Sequence, residues 1–435
     1  MSKVSQDNLI AQLGHCGSEA EVKQVLNGYQ ELITPELLEV MARKAEGLRD
    51  NHDWDGANLL LSLALQVGEV LGSSETQATL RNETAGVLSK MGKREYEISR
   101  FSEAIQFYKL SLTIYREFQN YQGEVDALCG LGSSYRRLGD KERATAIFQE
   151  SLAIAREIEY GQGEVDGLNG LGAIDNSLGK HELAKAYYQE ALTIAEAIGY
   201  PKGRAFAFNG LGNVCRGLGE YEEAIAYHQK CLAIDQDIKD RFGECASFYN
   251  LALNYQSLKQ YEQCLEYQQK SLAVAREIKN RQWEGDSLNQ LGIIYSYRIQ
   301  GGKAENIEAA IAAYEKALLV RTQTDFPINW AATKNNLGNA YWERIRGDKA
   351  QNMESAIAAY EKALLVYTQT DFPMDWAMTQ NNLGAAYWKR IRGDKAENIE
   401  SAIAAYEKAL LVRTQTDFPM DWAETQIGLS VAYYY

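Results

Sequence analysis

The chain has 435 residues, 46% of them hydrophobic, and a net charge of −14. A single core of that size would be unusual, and the acidity argues against nucleic acid or an anionic membrane surface as the main partner. No stretch is apolar for the roughly eighteen residues a membrane span needs, and Met1 to Leu13 lacks a basic region followed by an apolar run, so a cytoplasmic protein is expected. The six cysteines show no CxxC spacing and read as free thiols, mostly buried, in a reducing compartment.

Residues 1–84 read as an N-terminal helical cap. Glu21 to Tyr29 suits a helix, Pro35 opens the next, and Glu36 to Leu71 resembles a degenerate helical pair in which Ala57, Leu61 and Ala64 keep a helical spacing. Terminal units of a stack are expected to be atypical, because one face has no neighbour.

From residue 85 a period takes over. Leu131-Gly132, Leu171-Gly172, Leu211-Gly212 and Leu251-Ala252 follow one another at forty residues, and Met91-Gly92 is one period earlier. Five units of this length fill 85–284. In each, a first helix carries apolar residues at i, i+3, i+4 and i+7, as in Leu128, Leu131, Gly132 and Tyr135. A Gly-Asp type turn (Gly139, Gly179, Gly219) predicts a helix exit at positive φ. A second helix follows with small residues at Ala144 and Ser151, and their equivalents recur in every unit.

Three units of forty-six residues fill 285–422, with the leucine steps at Leu291, Leu337 and Leu383. The extra residues lie between the helices, as in Arg344 to Ala350 and Arg390 to Ala396. They are expected to stack into a mildly basic ridge whose candidate contact residues are Arg344, Arg346, Lys349, Arg390, Arg392 and Lys395. Asp325-Phe326-Pro327 and its two repeats mark the joints between units, with the aspartate expected to cap or favour the following helix start. Trp330, Trp376 and Trp422 are expected to pack between neighbours. Residues 423–435 read as the first helix of an incomplete ninth unit, beginning near Ala423, and its apolar end suggests either a longer parent protein or self-association.

The leucine-glycine step, the tyrosine four residues later (Tyr135, Tyr255, Tyr295, Tyr341, Tyr387) and the small residue early in the second helix closely resemble the tetratricopeptide repeat family. The forty-residue units are similar to those of kinesin light chain and of Leu-Gly-Asn-repeat adaptors. The forty-six-residue units resemble repeats of bacterial, notably cyanobacterial, proteins that also carry a CHAT peptidase domain. The resemblance implies an all-α solenoid, a right-handed superhelix of antiparallel helix pairs whose first helices line a concave surface. It also implies binding of an extended peptide or partner helix there, without catalysis.

Asparagine is unfavourable inside a helix, yet it recurs near the leucine step. Asn169, Asn209, Asn213, Asn289, Asn335, Asn339 and Asn381, with Tyr249, form a candidate peptide-binding stripe, because an amide can both donate to and accept from a peptide backbone. Arg136 and Arg216, with Arg137 and Arg204 near them, suit carboxylates on the partner, and Phe206, Trp342 and Trp388 suit apolar anchors. The alternatives are a regulatory array of a larger peptidase or signalling protein, and a self-associating scaffold. No HExxH, phosphate-binding glycine loop or Cys/His cluster occurs, so no metal, cofactor or catalytic site is expected. The acids Glu164, Asp166, Glu284 and Asp286 read as helix-start charges. Arg346-Gly347-Asp348 and Arg392-Gly393-Asp394 read as turns.

Overall fold

A computed structural model describes residues 3–16, 18–50, 53–73, 78–98, 100–298 and 300–434. Among the described residues there are 21 α-helices, one short 3-10 turn and no strand. The chain forms two compact units, Met1–Lys239 and Asp240–Tyr435, and the change of period at 285 falls inside the second.

The first unit begins with Lys3–Gly14, Glu19–Gly28, Pro35–Asp50 and Trp54–Ser73. These pack around Leu13, Leu26, Leu37, Leu38 and Met41, with Ala57, Leu61 and Ala64 buried as their spacing predicts. Four regular hairpins follow: Ala78–Glu97 with Phe101–Glu117, Tyr121–Arg137 with Lys141–Glu157, Gly161–Ser177 with His181–Ala197, and Pro201–Leu218 with Tyr221–Asp237. In the second unit the hairpins are Arg241–Ser257 with Tyr261–Glu277, Arg281–Tyr297 with Lys303–Val320, Pro327–Glu343 with Lys349–Ala363, and Pro373–Trp388 with Lys395–Leu410. The last helix, Pro419–Tyr434, starts four residues before the expected Ala423, because proline sets the first-turn φ and has no N–H to leave unpaired.

Glycine explains why the hairpins nest. The Phe148 ring lies between two first helices. A Cβ on Gly132 would meet it at 3.1 Å and a Cβ on Gly170, in the next hairpin, at 2.4 Å. Tyr188 is held the same way by Gly172 at 3.0 Å and Gly210 at 2.2 Å, and Tyr108 by Gly92 at 3.2 Å and Gly130 at 2.3 Å. The glycine beside each leucine thus admits the ring of its own hairpin. The glycine before the leucine admits the ring of the preceding one. Each buried ring contributes about 2–3 kcal/mol and crosslinks two units. His228 and Gln268 occupy the same slot fully buried, and neither their ring nor their amide atoms find a partner.

Gly139, Gly179 and Gly219 have φ of 87°, 74° and 83°, as the turn reading requires, while Lys259 takes the same place at 58°. Asp140 accepts from the Arg143 N–H and caps the helix beyond. The tripeptides at Gly347 and Gly393 are turns at φ 83° and 86°, each followed by a capping aspartate, Asp348 or Asp394. At the joints the expectation changes. Phe326 and Phe372 occupy the N-cap places without a side-chain bond, and Asp371 and Asp417 are tied within the turn to Thr368 and Thr414. Trp330 and Trp376 pack on a cluster of Ala331, Ala363 and Tyr367, between hairpins as expected.

The lengthened loops are anchored. Arg344 donates two hydrogen bonds to Glu308 at 2.8 Å, and Arg390 does the same to Glu354 at 2.9 and 2.7 Å, each reaching back to the preceding second helix. Arg298 grips Glu262 likewise. Buried Asn306, Asn352 and Asn398 donate to loop carbonyls. No described helix is long and apolar enough to cross a membrane.

Candidate functional site

Within each compact unit, successive first helices pack on one another along the stack, whereas from Phe101 on the second helices are not packed on their successors. The first helices therefore form a continuous wall. A helix turns about 100° per residue. Relative to the leucine, the residue two before it points toward the next hairpin, while the residues five before and two after it face away from the second helices.

This geometry sorts the asparagine stripe. Asn169, Asn289, Asn335 and Asn381 sit two before a leucine and are 2%, 8%, 3% and 6% exposed. The first three join neighbouring helices rather than face a groove, and the Asn381 Oδ1 is buried without a partner. Asn169 donates to the Gly203 carbonyl at 3.3 Å. Asn289 accepts from Asn336 at 3.3 Å, and Asn335 from Thr379 at 3.3 Å and Asn382 at 3.4 Å. The expectation that this position avoids the packed face is corrected for these four, because adjacent first helices approach closely enough to enclose it. Asn209, Asn213 and Tyr249 are half-buried and Asn339 is exposed. Tyr249 accepts from Gln290 at 3.2 Å, and Asn339 from the Tyr360 hydroxyl at 2.7 Å.

The arginines of the first unit are placed differently. Arg136, Arg204 and Arg216 are half-buried, and none forms an ion pair with a described residue. Arg216 donates only to the neutral Asn213 Oδ1, at 3.4 Å, and the Nε atoms of Arg204 and Arg216 are buried without a partner. Phe206, on the same helix as Arg204 and Arg216, is 43% exposed. Trp342 and Trp388, in the second unit, are half-buried, with Lys389 Nζ over their rings at 4.9 and 5.7 Å.

The loop ridge is less available than its charge suggests. Arg344 and Arg390 are spent on Glu308 and Glu354, Arg346 pairs with Glu305, and Arg392 donates to Gln351 at 3.1 Å. The half-buried Arg344 and Arg390 are thereby committed within the chain, while Arg346 and Arg392 stay exposed. Lys349 and Lys395 remain exposed at helix starts.

Two wall residues escaped the sequence reading. Asp126 and Asp166 each lie five before a leucine, beyond the first helical turn, and so are not helix-start charges. Glu164 and Glu284 do stand in the first turns of their helices, and they also pair with Arg156 and Arg276 at 2.8 Å across the hairpin joints. The Tyr160 hydroxyl donates to Asp126 at 3.1 Å and that of Tyr200 to Asp166 at 3.3 Å. Desolvation raises both carboxyls above the usual range, that of Asp166 to about 7. The forty-residue interval between the two aspartates was the signal available in the sequence.

All six cysteines are free, four of them buried. Cys215, Glu220 and Glu223 bring one ligand atom each within 4.8 Å of one another. Burial pushes the Cys215 thiol up to about 11, which keeps it protonated and makes it a weak ligand.

Two tetratricopeptide repeat models match the chain, one at residues 83–157, 165–237 and 244–300, the other at 330–366 and 376–413. Together they cover more than half of it. The chain belongs to the tetratricopeptide repeat family. No curated protein matched it. Among solved structures, this repeat protein is similar to a Rap protein complexed with competence and sporulation factor, over 92% of this chain and 98% of that one, at 12% identity and a TM-score of 0.50. It is also similar to the apo quorum sensor NprR of B. thuringiensis, over 78% of this chain and 99% of that one, at 14% identity and 0.47. A third is a signal transduction ATPase with a tetratricopeptide repeat sensor from Pyrococcus horikoshii, over 83% of this chain but 53% of that one, at 17% identity and 0.48. At these identities the likeness is one of fold.

Proposed function

We propose that the protein is a noncatalytic interaction module that takes an extended peptide segment of a partner along its first-helix wall. The observation that carries this is the set of half-buried, unpaired arginines, Arg136, Arg204 and Arg216, in a chain of net charge −14. A guanidinium held without a counter-ion on an accessible wall favours an incoming carboxylate, and exposed Phe206, ten residues before Arg216 on the same helix, offers a separate apolar contact. Half-buried Asn213, beside Arg216, would add a hydrogen bond to the peptide backbone. The Rap protein that shares the fold was solved in complex with a factor, which agrees with a binding role.

Panning a random peptide phage library on the full chain and on R136A/R216A tests this. Acidic peptides should be enriched on the wild type and lost on a variant with unchanged circular dichroism. Enrichment of the same peptides on both proteins would refute the reading. A second reading rests on the last helix, which exposes Ile427, Tyr433 and Tyr434. Contact with another copy through that face predicts a dimer by light scattering that I427E/Y434E abolishes, and a monomeric wild type would exclude it.

A further inference from the structure

The two aspartates of the first unit's wall form a site of their own. Asp126 and Asp166 lie at the same register of adjacent first helices, Tyr121–Arg137 and Gly161–Ser177. Each receives one tyrosine hydroxyl, and neither forms an ion pair with a described residue. Asp126 is solvent-exposed and Asp166 half-buried, yet desolvation raises both carboxyls.

The same register position in the second unit is Asp286, and there the chain supplies the missing partner. The Arg321 guanidinium, itself 5% exposed, pairs with Asp286, and the Asn329 amide donates to it at 3.2 Å. No arginine of the first unit does this for Asp126 or Asp166. Lys202, whose charge acts on Asp166, is exposed and makes no ion pair with it among the described residues.

A second observation points the same way. Asn169 is 2% exposed and its Oδ1 has no partner. Helical side chains lean toward the N-terminus, so the Asn169 amide overlies the turn that carries Asp166. Its Nδ2 is used on Gly203. The equivalent Asn289 Oδ1 is satisfied by Asn336, but the residue at that place in the first unit is Gly210, which has no side chain to donate. Two carboxylates and an orphaned carbonyl oxygen are all acceptors, and a guanidinium, with five N–H donors and no acceptor, complements them.

We propose that the Asp126–Asp166 row receives arginine side chains of the bound peptide, as Asp286 receives Arg321 within the chain. This deepens the peptide-wall reading and rests on it. The arginines Arg136 and Arg216 lie five residues after their leucines and the aspartates five before. Ten residues of helix separate the rows by about 15 Å. The peptide thus meets acid along one edge of the wall and base along the other, which fixes its direction. Adjacent helices pack about 8–10 Å apart, and three residues of polyproline II span about 9 Å and return the side chain to the same face, so two arginines separated by two residues reach both carboxylates.

The groups facing Asp166 from the packed elements are Asp126 and Cys129, Tyr160, Tyr200 and Lys202. A carboxyl that titrates near neutrality binds a cation only once ionised, so affinity rises from about pH 6 to about pH 8.

The test is calorimetric titration of acetyl-Arg-Ser-Ser-Arg-amide into the full chain, D126N/D166N, D166N alone and E142Q/E182Q. The last removes equal charge from exposed starts of second helices. The expected result is binding by wild type and E142Q/E182Q, loss of about tenfold or more in D126N/D166N, a smaller loss in D166N, and the stated pH dependence in wild type and E142Q/E182Q but in neither aspartate variant. No binding by wild type, or equal weakening in E142Q/E182Q, overturns the proposal. Library peptides that depend on Arg136 and Arg216 but carry no arginine would overturn this inference and leave the peptide-wall reading standing. Loss of all peptide binding would remove both.

Discussion

The forty-residue and forty-six-residue repeats solve one packing problem with different chemistry. Between Phe101 and Asp237 the hairpins close with short glycine turns, and rings seat between paired glycines, as Phe148 does between Gly132 and Gly170. From Arg281 to Leu410 a longer loop is clamped by Arg344–Glu308 and Arg390–Glu354 and by buried Asn352 and Asn398. Asn336 and Asn382 stand before the leucine where Gly170 and Gly210 stand earlier, and they bond Asn289 and Asn335 of the preceding first helix. The first scheme crosslinks hairpins by shape and leaves the charges of its wall unpaired. The second crosslinks them by polar bonds and pairs its wall aspartate, Asp286, with Arg321. This is the reason the proposed site lies in the first unit.

Breaking the ring seat should have the largest effect. Gly210→Val puts branched carbon where a Cβ would already stand 2.2 Å from the Tyr188 ring, and should cost about 3 kcal/mol in urea unfolding. The matching change Asn382→Val should cost less, because no ring is displaced there.

The imperfect slot gives a pH signature. Desolvation holds His228 at a pKa of about 3, against 6.5 for the free side chain. The folded value lies below the unfolded one. The stabilisation is therefore present above about pH 6.5 and lost as pH falls toward 3, because only the unfolded chain takes up the proton there. Relative to His228→Phe, the wild type should lose about 2 kcal/mol between pH 7 and pH 5, read from denaturant melts of both proteins. Parallel curves would refute this.

The clamps rank next. Arg390→Met should cost about 1 kcal/mol and raise hydrogen exchange in the 389–398 loop while leaving the first unit unchanged. The turns come last. Gly139→Ala, at φ 87° with open space around it, should lose about 1 kcal/mol. Lys259→Gly, at φ 58°, should gain up to about 1 kcal/mol, so the two changes should have opposite signs.

Much of this architecture was legible in the residues alone. Period, helix pairs and turn glycines are local, set by a chain's own φ preferences and its helical face, so Leu131-Gly132 and Gly139 announced them. The candidate site was legible only in part. Arg136 and Arg216 were found because charge near a helix end stands out. Asn169 and Asn335 were misplaced, because whether a position two before the leucine is open or enclosed depends on how closely the next hairpin approaches. Asp166 was taken for a helix-start charge and Asp126 was not singled out, since no motif tells which aspartate meets an arginine and which is left without one. Amino-acid order determined the repeat and its fold. Tertiary packing decided which polar groups were satisfied, because hydrogen bonds and ion pairs join residues more than thirty positions apart, as Arg321 and Asp286 are.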